Sequence, residues 1–202
     1  MEMKRLTVLF TMMMLALLLS ASVAFALTVD CTAGRGCFGT DDPDTLNGSV
    51  GGDDMDARQA GDTLFGGGGD DWMSGDAYGP TDTSTDGDDR VFGEAGWDGM
   101  VGYGGSDVLS GGDGRDFIDA VESSKNPGED TVRGGASNDF IDAIDQTKDT
   151  IDCGTGTRDR VYYDKNLDTV ERCEIARTQY PEEQFFATAS TTAEEANTSR
   201  AR

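Results

Sequence analysis

A single period constrains this chain more than any other property it has. Asp44, Asp53, Asp62, Asp71, Asp89, Asp98, Asp107 and Asp116 fall on one nine-residue grid, broken once at Pro80. Two residues after each stands an apolar side chain: Leu46, Met55, Leu64, Met73, Val91, Met100, Leu109 and Ile118. Residues two apart in an extended segment share a face, so each aspartate and its apolar follower point the same way, inward.

In the best copies, residues 66–74 (GGGGDDWMS), 111–119 (GGDGRDFID) and 134–142 (GGASNDFID), a glycine-rich six-residue loop ends in Asp and a short apolar-centred segment follows. This pattern resembles the repeats-in-toxin (RTX, hemolysin-type) nonapeptide G-G-x-G-x-D-x-U-x, over about residues 39–171. The resemblance implies an all-β fold, a parallel β-roll or β-solenoid. Two nonapeptides make one flattened coil, with two short parallel strands and a loop at each edge. It also implies several calcium ions, each held between successive loops of one edge by Asp carboxylates and backbone carbonyls. The ligand set so implied comprises Asp44, Asp53, Asp62, Asp71, Asp89, Asp98, Asp107, Asp116, Asp130 and Asp139, with Gly66, Gly68, Gly111 and Gly134 giving the backbone room to approach the ion.

Eighteen residues per coil would stack Asp44 on Asp62, Asp53 on Asp71, Asp89 on Asp107 and Asp98 on Asp116. The segment 78–86 (YGPTDTSTD) is either a degenerate repeat or a surface loop of the same length, and Pro80 in place of Asp favours the loop. If it is a loop, Asp89 changes edges. A second excursion at 122–128 (ESSKNPG) precedes Asp130 and Val132. Asp149, Asp159 and Asp168 continue the pattern with wider spacing and with Lys, Arg and Gln in their loops, so the last coils are expected to form strands yet hold little calcium.

The formal net charge of −23 excludes nucleic acid and anionic membrane surfaces as natural partners and calls for cations. Acidity with 28 glycines would by itself read as disorder, but disordered tracts do not fix an apolar residue behind each Asp. Burying one apolar side chain cannot offset the ordering of nine backbone residues, so folding is expected to depend on the ion. With no histidine in the chain, Ser-His-Asp, Cys-His and H-E-x-x-H centres are all excluded, and the chain is expected not to be an enzyme.

Residues 1–26 read as a secretory signal peptide: Lys4 and Arg5, an apolar stretch from Val8 to Leu19, then Ala24-Phe25-Ala26. An uncleaved membrane anchor is the alternative. Export predicts an extracellular protein and an oxidising compartment. There, sequence proximity favours Cys31 with Cys37 and Cys153 with Cys173 among three pairings, and zinc on four thiolates is disfavoured. The chain divides into a disulfide cap at 27–38, repeats at 39–152, degenerate coils or a cap at 153–177 and a flexible tail at 178–202.

Outward strand positions carry Phe65, Trp72, Phe92, Phe117 and Phe140, a sticky face for polysaccharide, cell wall or matrix unless loops or the tail pack over them. Thr45, Thr63 and Thr131 do not read as the regular threonine ladder that ice binding would want. The chain is thus expected to be a secreted calcium-binding module, with surface recognition as the alternative.

Overall fold

The computed structural model describes residues 26–76, 86–121 and 126–180. The expected signal peptide lies outside these apart from Ala26, as does most of the expected tail. Sixteen strands alternate between two eight-stranded parallel sheets, with no helix among the described residues. The first sheet takes β1 (Thr28–Asp30), β3 (Thr45–Asn47), β5 (Thr63–Gly68), β7 (Arg90–Ala95), β9 (Val108–Asp113), β11 (Thr131–Ala136), β13 (Thr150–Thr155) and β15 (Thr169–Glu171). The second takes β2 (Gly36–Phe38), β4 (Asp54–Asp56), β6 (Trp72–Ser74), β8 (Gly99–Val101), β10 (Phe117–Asp119), β12 (Phe140–Ala143), β14 (Arg160–Tyr163) and β16 (Ile175–Arg177). This is a parallel β-solenoid.

The core is the column of strand centres. Leu46, Leu64, Val91, Leu109, Val132 and Ile151 line one sheet, Met55, Met73, Met100, Ile118, Ile141 and Val161 the other, and all are fully buried. Branched side chains stack well on a pleated surface. Leu109 lies between Val91 and Val132 in adjacent strands, so truncating it opens a gap that neighbours in two coils must absorb.

Three features differ from the sequence expectations. Strands of the first sheet from β5 to β13 have six residues rather than three, because loop glycines continue the ladder, Gly67 pairing with Glu94 and Gly135 with Gly154. The N-terminal disulfide segment expected as a cap is a coil of the solenoid itself, Thr28 pairing with Thr45 and Gly36 with Asp54, and the boundary drawn at 152/153 falls inside β13. Finally, outward threonines line up in two short runs that the sequence did not show, Thr28, Thr45 and Thr63 in one and Thr131, Thr150 and Thr169 in the other, although Arg90 and Val108 separate them and Thr45, Thr63 and Thr131 form no single ladder, as expected. Coils of unequal length hide that alignment in the sequence.

Residues 77–85, which hold Pro80, lie outside the described residues, but the register on either side of them is clear. Thr63 pairs with Arg90 and Trp72 with Gly99, so one coil spans 27 residues and Asp89 stacks on Asp62. Cys31 bonds Cys37 and Cys153 bonds Cys173, the favoured pairing, near the two ends of the array.

Candidate metal centre

Turns leading from the first sheet to the second form one edge, here the first edge; turns leading back form the second edge. Each edge carries a continuous aspartate ladder. On the first, the amides of Asp53, Asp71, Asp98, Asp116 and Asp139 donate to Oδ1 of Asp71, Asp98, Asp116, Asp139 and Asp159 in the next coil, at 2.8 to 3.0 Å. On the second, the amides of Asp44, Asp62, Asp89, Asp107, Asp130 and Asp149 donate to Asp62, Asp89, Asp107, Asp130, Asp149 and Asp168, at 2.6 to 3.0 Å. The strand places each Asp with its side chain inward, where one carboxylate oxygen satisfies a buried amide that the turn leaves unpaired.

The other oxygen has no such role. Oδ2 of Asp62, Asp71, Asp89, Asp98, Asp107, Asp116, Asp139, Asp149 and Asp159 is buried without a hydrogen-bond donor. Unpaired buried oxygens on ionised groups are costly, so each asks for a cation or a proton. Burial pushes Asp116 up to about 7 and Asp71 and Asp139 to about 6, against the pull of the amide each accepts, with neighbouring ladder carboxylates adding to the rise. Asp62, Asp107 and Asp149 rise to about 7 and Asp89 to about 10 by burial first and like charge beside them.

Glycines keep a space open beside these oxygens. A Cβ at Gly66 would lie 2.5 Å from Asp71 Oδ2 and 2.7 Å from the Gly93 carbonyl oxygen; at Gly93 it would lie 2.5 Å from both Asp98 Oδ2 and the Gly111 carbonyl. Gly111 faces Asp116 Oδ2 and the Gly134 carbonyl in the same way, and Gly134 faces Asp139 Oδ2 and the Cys153 carbonyl. Gly68 is different, since a Cβ there would meet only ordinary contacts, the nearest at 3.8 Å. Among the described residues no three acidic side chains converge as a cage, so an ion on this ladder must draw much of its shell from carbonyls. Hard oxygen donors of this mixed kind fit calcium, which accepts six to eight of them.

The ends of the ladder depart from its middle. Asp44 Oδ2 accepts from the Thr40 amide, Asp53 Oδ2 from Ser49 and Asp168 Oδ2 from Asp164, each from its own loop. Asp149 and Asp159 lie outside the sequence-derived ligand set because of their wider spacing and the Gln, Lys and Arg in their loops, yet their geometry is that of the inner members. Their signal was the buried Ile151 and Val161 two residues on. Glu174, off the pattern altogether, takes the Asp159 amide and ends the first-edge ladder.

The candidate surface aromatics form two stacks. Phe65 lies on Phe92 at 5.3 Å, and Phe117 on Phe140 at 5.4 Å, continued by Tyr162 and by Tyr180 from beyond the last strand. Mutual stacking half-buries the phenylalanines, while Trp72 stays 47% exposed, its ring lying over Gly99.

Residues 48–77, 83–109, 100–120 and 126–143 match the family model of the RTX calcium-binding nonapeptide repeat, in four copies. No curated protein matches the chain. The stacked aspartates, the glycine-kept spaces and these matches agree: residues 48–143 carry RTX calcium-binding nonapeptide repeats.

Proposed function

We propose that this is a secreted, non-catalytic module that folds when several calcium ions occupy its edges. The observation that carries the reading is the row of buried Oδ2 atoms, those of Asp71, Asp98, Asp116 and Asp139 on the first edge and of Asp89 and Asp107 on the second each facing a space kept open by a glycine. When bound, calcium supplies positive charge and a flexible oxygen-accepting shell. The chain's own part is positional. Oδ1 of each aspartate fixes the neighbouring coil through its amide, Oδ2 is left to the ion, and the paired strands set the spacing of successive loops. Two disulfides and the general chemistry of the family support an extracellular site of action. A calcium titration of the chelated, refolded protein followed by circular dichroism should show little strand signal at first and a cooperative gain at millimolar calcium. A spectrum indifferent to calcium would defeat the reading.

A second reading is recognition of polysaccharide by the outer face of the second sheet. It is supported by a groove of about 480 Å³ lined by Phe38, Trp72 and Phe117 with Asp54, Asp56 and Asp119, a mixture of ring faces and acceptors suited to sugars. Trp72→Ala should abolish retention on a cell-wall polysaccharide while leaving the calcium transition in place.

A further inference from the structure

Asp76 lies off the nine-residue grid, five residues after Asp71, and takes no part in the aspartate ladder. It is nonetheless 1% exposed, and neither carboxylate oxygen has a hydrogen-bond donor. Ladder aspartates in the body of the array leave one oxygen over; Asp76 leaves two. The amides of Gly87 and Gly104 face it without reaching hydrogen-bond geometry.

The surroundings bring more negative charge. Asp86 exerts the largest like-charge effect on it, and Asp62, Asp89 and Asp107 of the second-edge ladder also act electrostatically on this group of residues. Gly104 sits between the two off-ladder groups: its amide faces Asp76, while a Cβ on it would lie 2.9 Å from Asp86 Oδ2. The Asp86 carbonyl accepts from Asn126 Nδ2 at 3.0 Å, and the Asn126 carbonyl accepts from the Gly105 amide at 3.1 Å. Ser74 Oγ donates to the Asp76 carbonyl, which holds the backbone at this point. Four separate stretches of chain therefore meet here: residues 74–76, 86–87, 104–105 and 126.

We propose that Asp76 and Asp86 hold a divalent cation beside Gly104, in a site separate from those of the nonapeptide repeats. The argument is one of charge and solvation. A carboxylate buried with both oxygens unpaired, in a corner already rich in aspartate, is tenable only with a cation against it or a proton on it. The cation is the better partner, because it compensates Asp86 and the adjacent ladder carboxylates in the same act. Two carboxylates leave calcium several positions to fill from carbonyls and water, a usual arrangement for this ion. Its effect would be to lock the segment ends at Asp76 and Asp86 to the stretch beginning at Asn126, giving the second edge a clasp that the repeat motif does not supply.

The test compares the full secreted chain with Asp76→Asn and Asp71→Asn, counting bound calcium by equilibrium dialysis and following amide exchange at Gly87 and Gly105. Asp76→Asn is expected to keep the cooperative calcium-dependent strand signal, to bind one ion fewer, and to exchange faster at both glycines. Asp71→Asn should instead weaken the cooperative transition and leave exchange at Gly87 and Gly105 protected. If Asp76→Asn binds as many ions as the parent with unchanged exchange, Asp76 is simply protonated and the site does not exist. Should that variant not fold, Asp86→Asn is read in its place, with the same expected loss of one ion and the same overturning result. A parent chain that takes up no calcium overturns this site and the repeat sites together; normal uptake that only Asp71→Asn reduces overturns this site alone.

Discussion

Both edges of the solenoid carry the same aspartate ladder, and they carry different loops. On the first edge, glycine stands five residues before Asp71, Asp98, Asp116 and Asp139, in the space beside Oδ2. On the second, the equivalent inward position is mixed: Gly75 and Gly102 lie beside Asp89 Oδ2 and Asp107 Oδ2, whereas Ala57, Ala120 and Ala143 fill it in the other coils and are buried in the core. The second edge also carries both interruptions of the period, between Asp76 and Asp86 and between Val121 and Asn126. The difference separates two jobs that the motif superimposes. Oδ1 holding an amide is required wherever coils stack, so it persists on both edges; an open space beside Oδ2 is required only where an ion must reach it. The glycine-lined space thus runs without a break from Asp71 to Asp139 on the first edge and is interrupted by alanines on the second, the edge on which the fold tolerates variation.

The largest expected effect breaks the ladder where both jobs are done. Asp71→Ala removes an oxygen from a metal position and leaves the buried Asp53 amide unpaired, a loss of about 1 to 3 kcal/mol before any ion is counted. At about 1.4 kcal/mol per factor of ten, the calcium midpoint should rise roughly tenfold or more. Asp168→Ala also strands amides, those of Asp149 and Asp164, but both oxygens of Asp168 are already engaged by protein. It should lower stability in calcium and move the midpoint far less. Calcium titrations of the two variants by circular dichroism decide the matter, and equal shifts would erase the distinction between inner and terminal coils.

Exchanging the residues beside Oδ2 tests the edges against each other. Gly111→Ala places a methyl against Asp116 Oδ2 and the Gly134 carbonyl, where the structure has no room. Overpacking of this kind costs about 1 to 3 kcal/mol, and dialysis should also find one ion fewer. Ala57→Gly removes a methyl from the second edge and should destabilise the fold mildly without loss of an ion. Loss of calcium from the second variant and not the first would reverse the roles assigned here.

Much of this was legible before any coordinates, because the nine-residue grid sets which side chains face inward. The stacking partners eighteen apart, the buried Leu, Met, Val and Ile column and the change of edge at Asp89 all follow from the grid and its break at Pro80. What the sequence hid has physical reasons. Asp149 and Asp159 escaped because their wider spacing and the Gln, Lys and Arg in their loops break the motif, whereas ladder membership depends on the strand that follows. The terminal coils escaped because β1 and β2 have no preceding aspartates; β1 is held by Asp44 from the coil above, which accepts the Leu27 amide. Asp76 escaped because nothing in a repeat pattern marks a residue that lies outside it.

Acidity should act in opposite directions with and without the ion. Asp71, Asp116 and Asp139 on the first edge have pKa values raised from 3.8 to about 6 or 7, so the metal-free fold prefers them protonated. That contribution is fully present below about pH 4 and is lost as pH rises through 6 to 7. In chelator, lowering the pH from 8 to 5 should therefore increase strand signal. In calcium the same acidification should raise the midpoint, since protons compete for Oδ2. On the second edge Asp89 rises to about 10 and stays protonated longest in the metal-free state, so it should be the last ladder aspartate to lose its proton, an ordering that carboxyl resonances in a pH titration would read directly.

The smallest effect concerns the path of the backbone. Ala60 on the second edge and Glu94 on the first both occupy the left-handed region, with φ of 73° and 71°. Residues with a Cβ pay about 1 to 2 kcal/mol there, and glycine returns part of that saving as about 0.5 to 1 kcal/mol of chain entropy. Ala60→Gly and Glu94→Gly should thus each stabilise the calcium-loaded protein by about 1 kcal/mol or less, a rise of a few degrees in Tm by calorimetry. Equal gains would mean that both edges follow one backbone path and differ only in what their side chains leave open. A gain confined to Glu94→Gly would mean that the second edge has departed from that path itself, and that its alanines are a consequence of a different turn rather than the reason an ion is kept out.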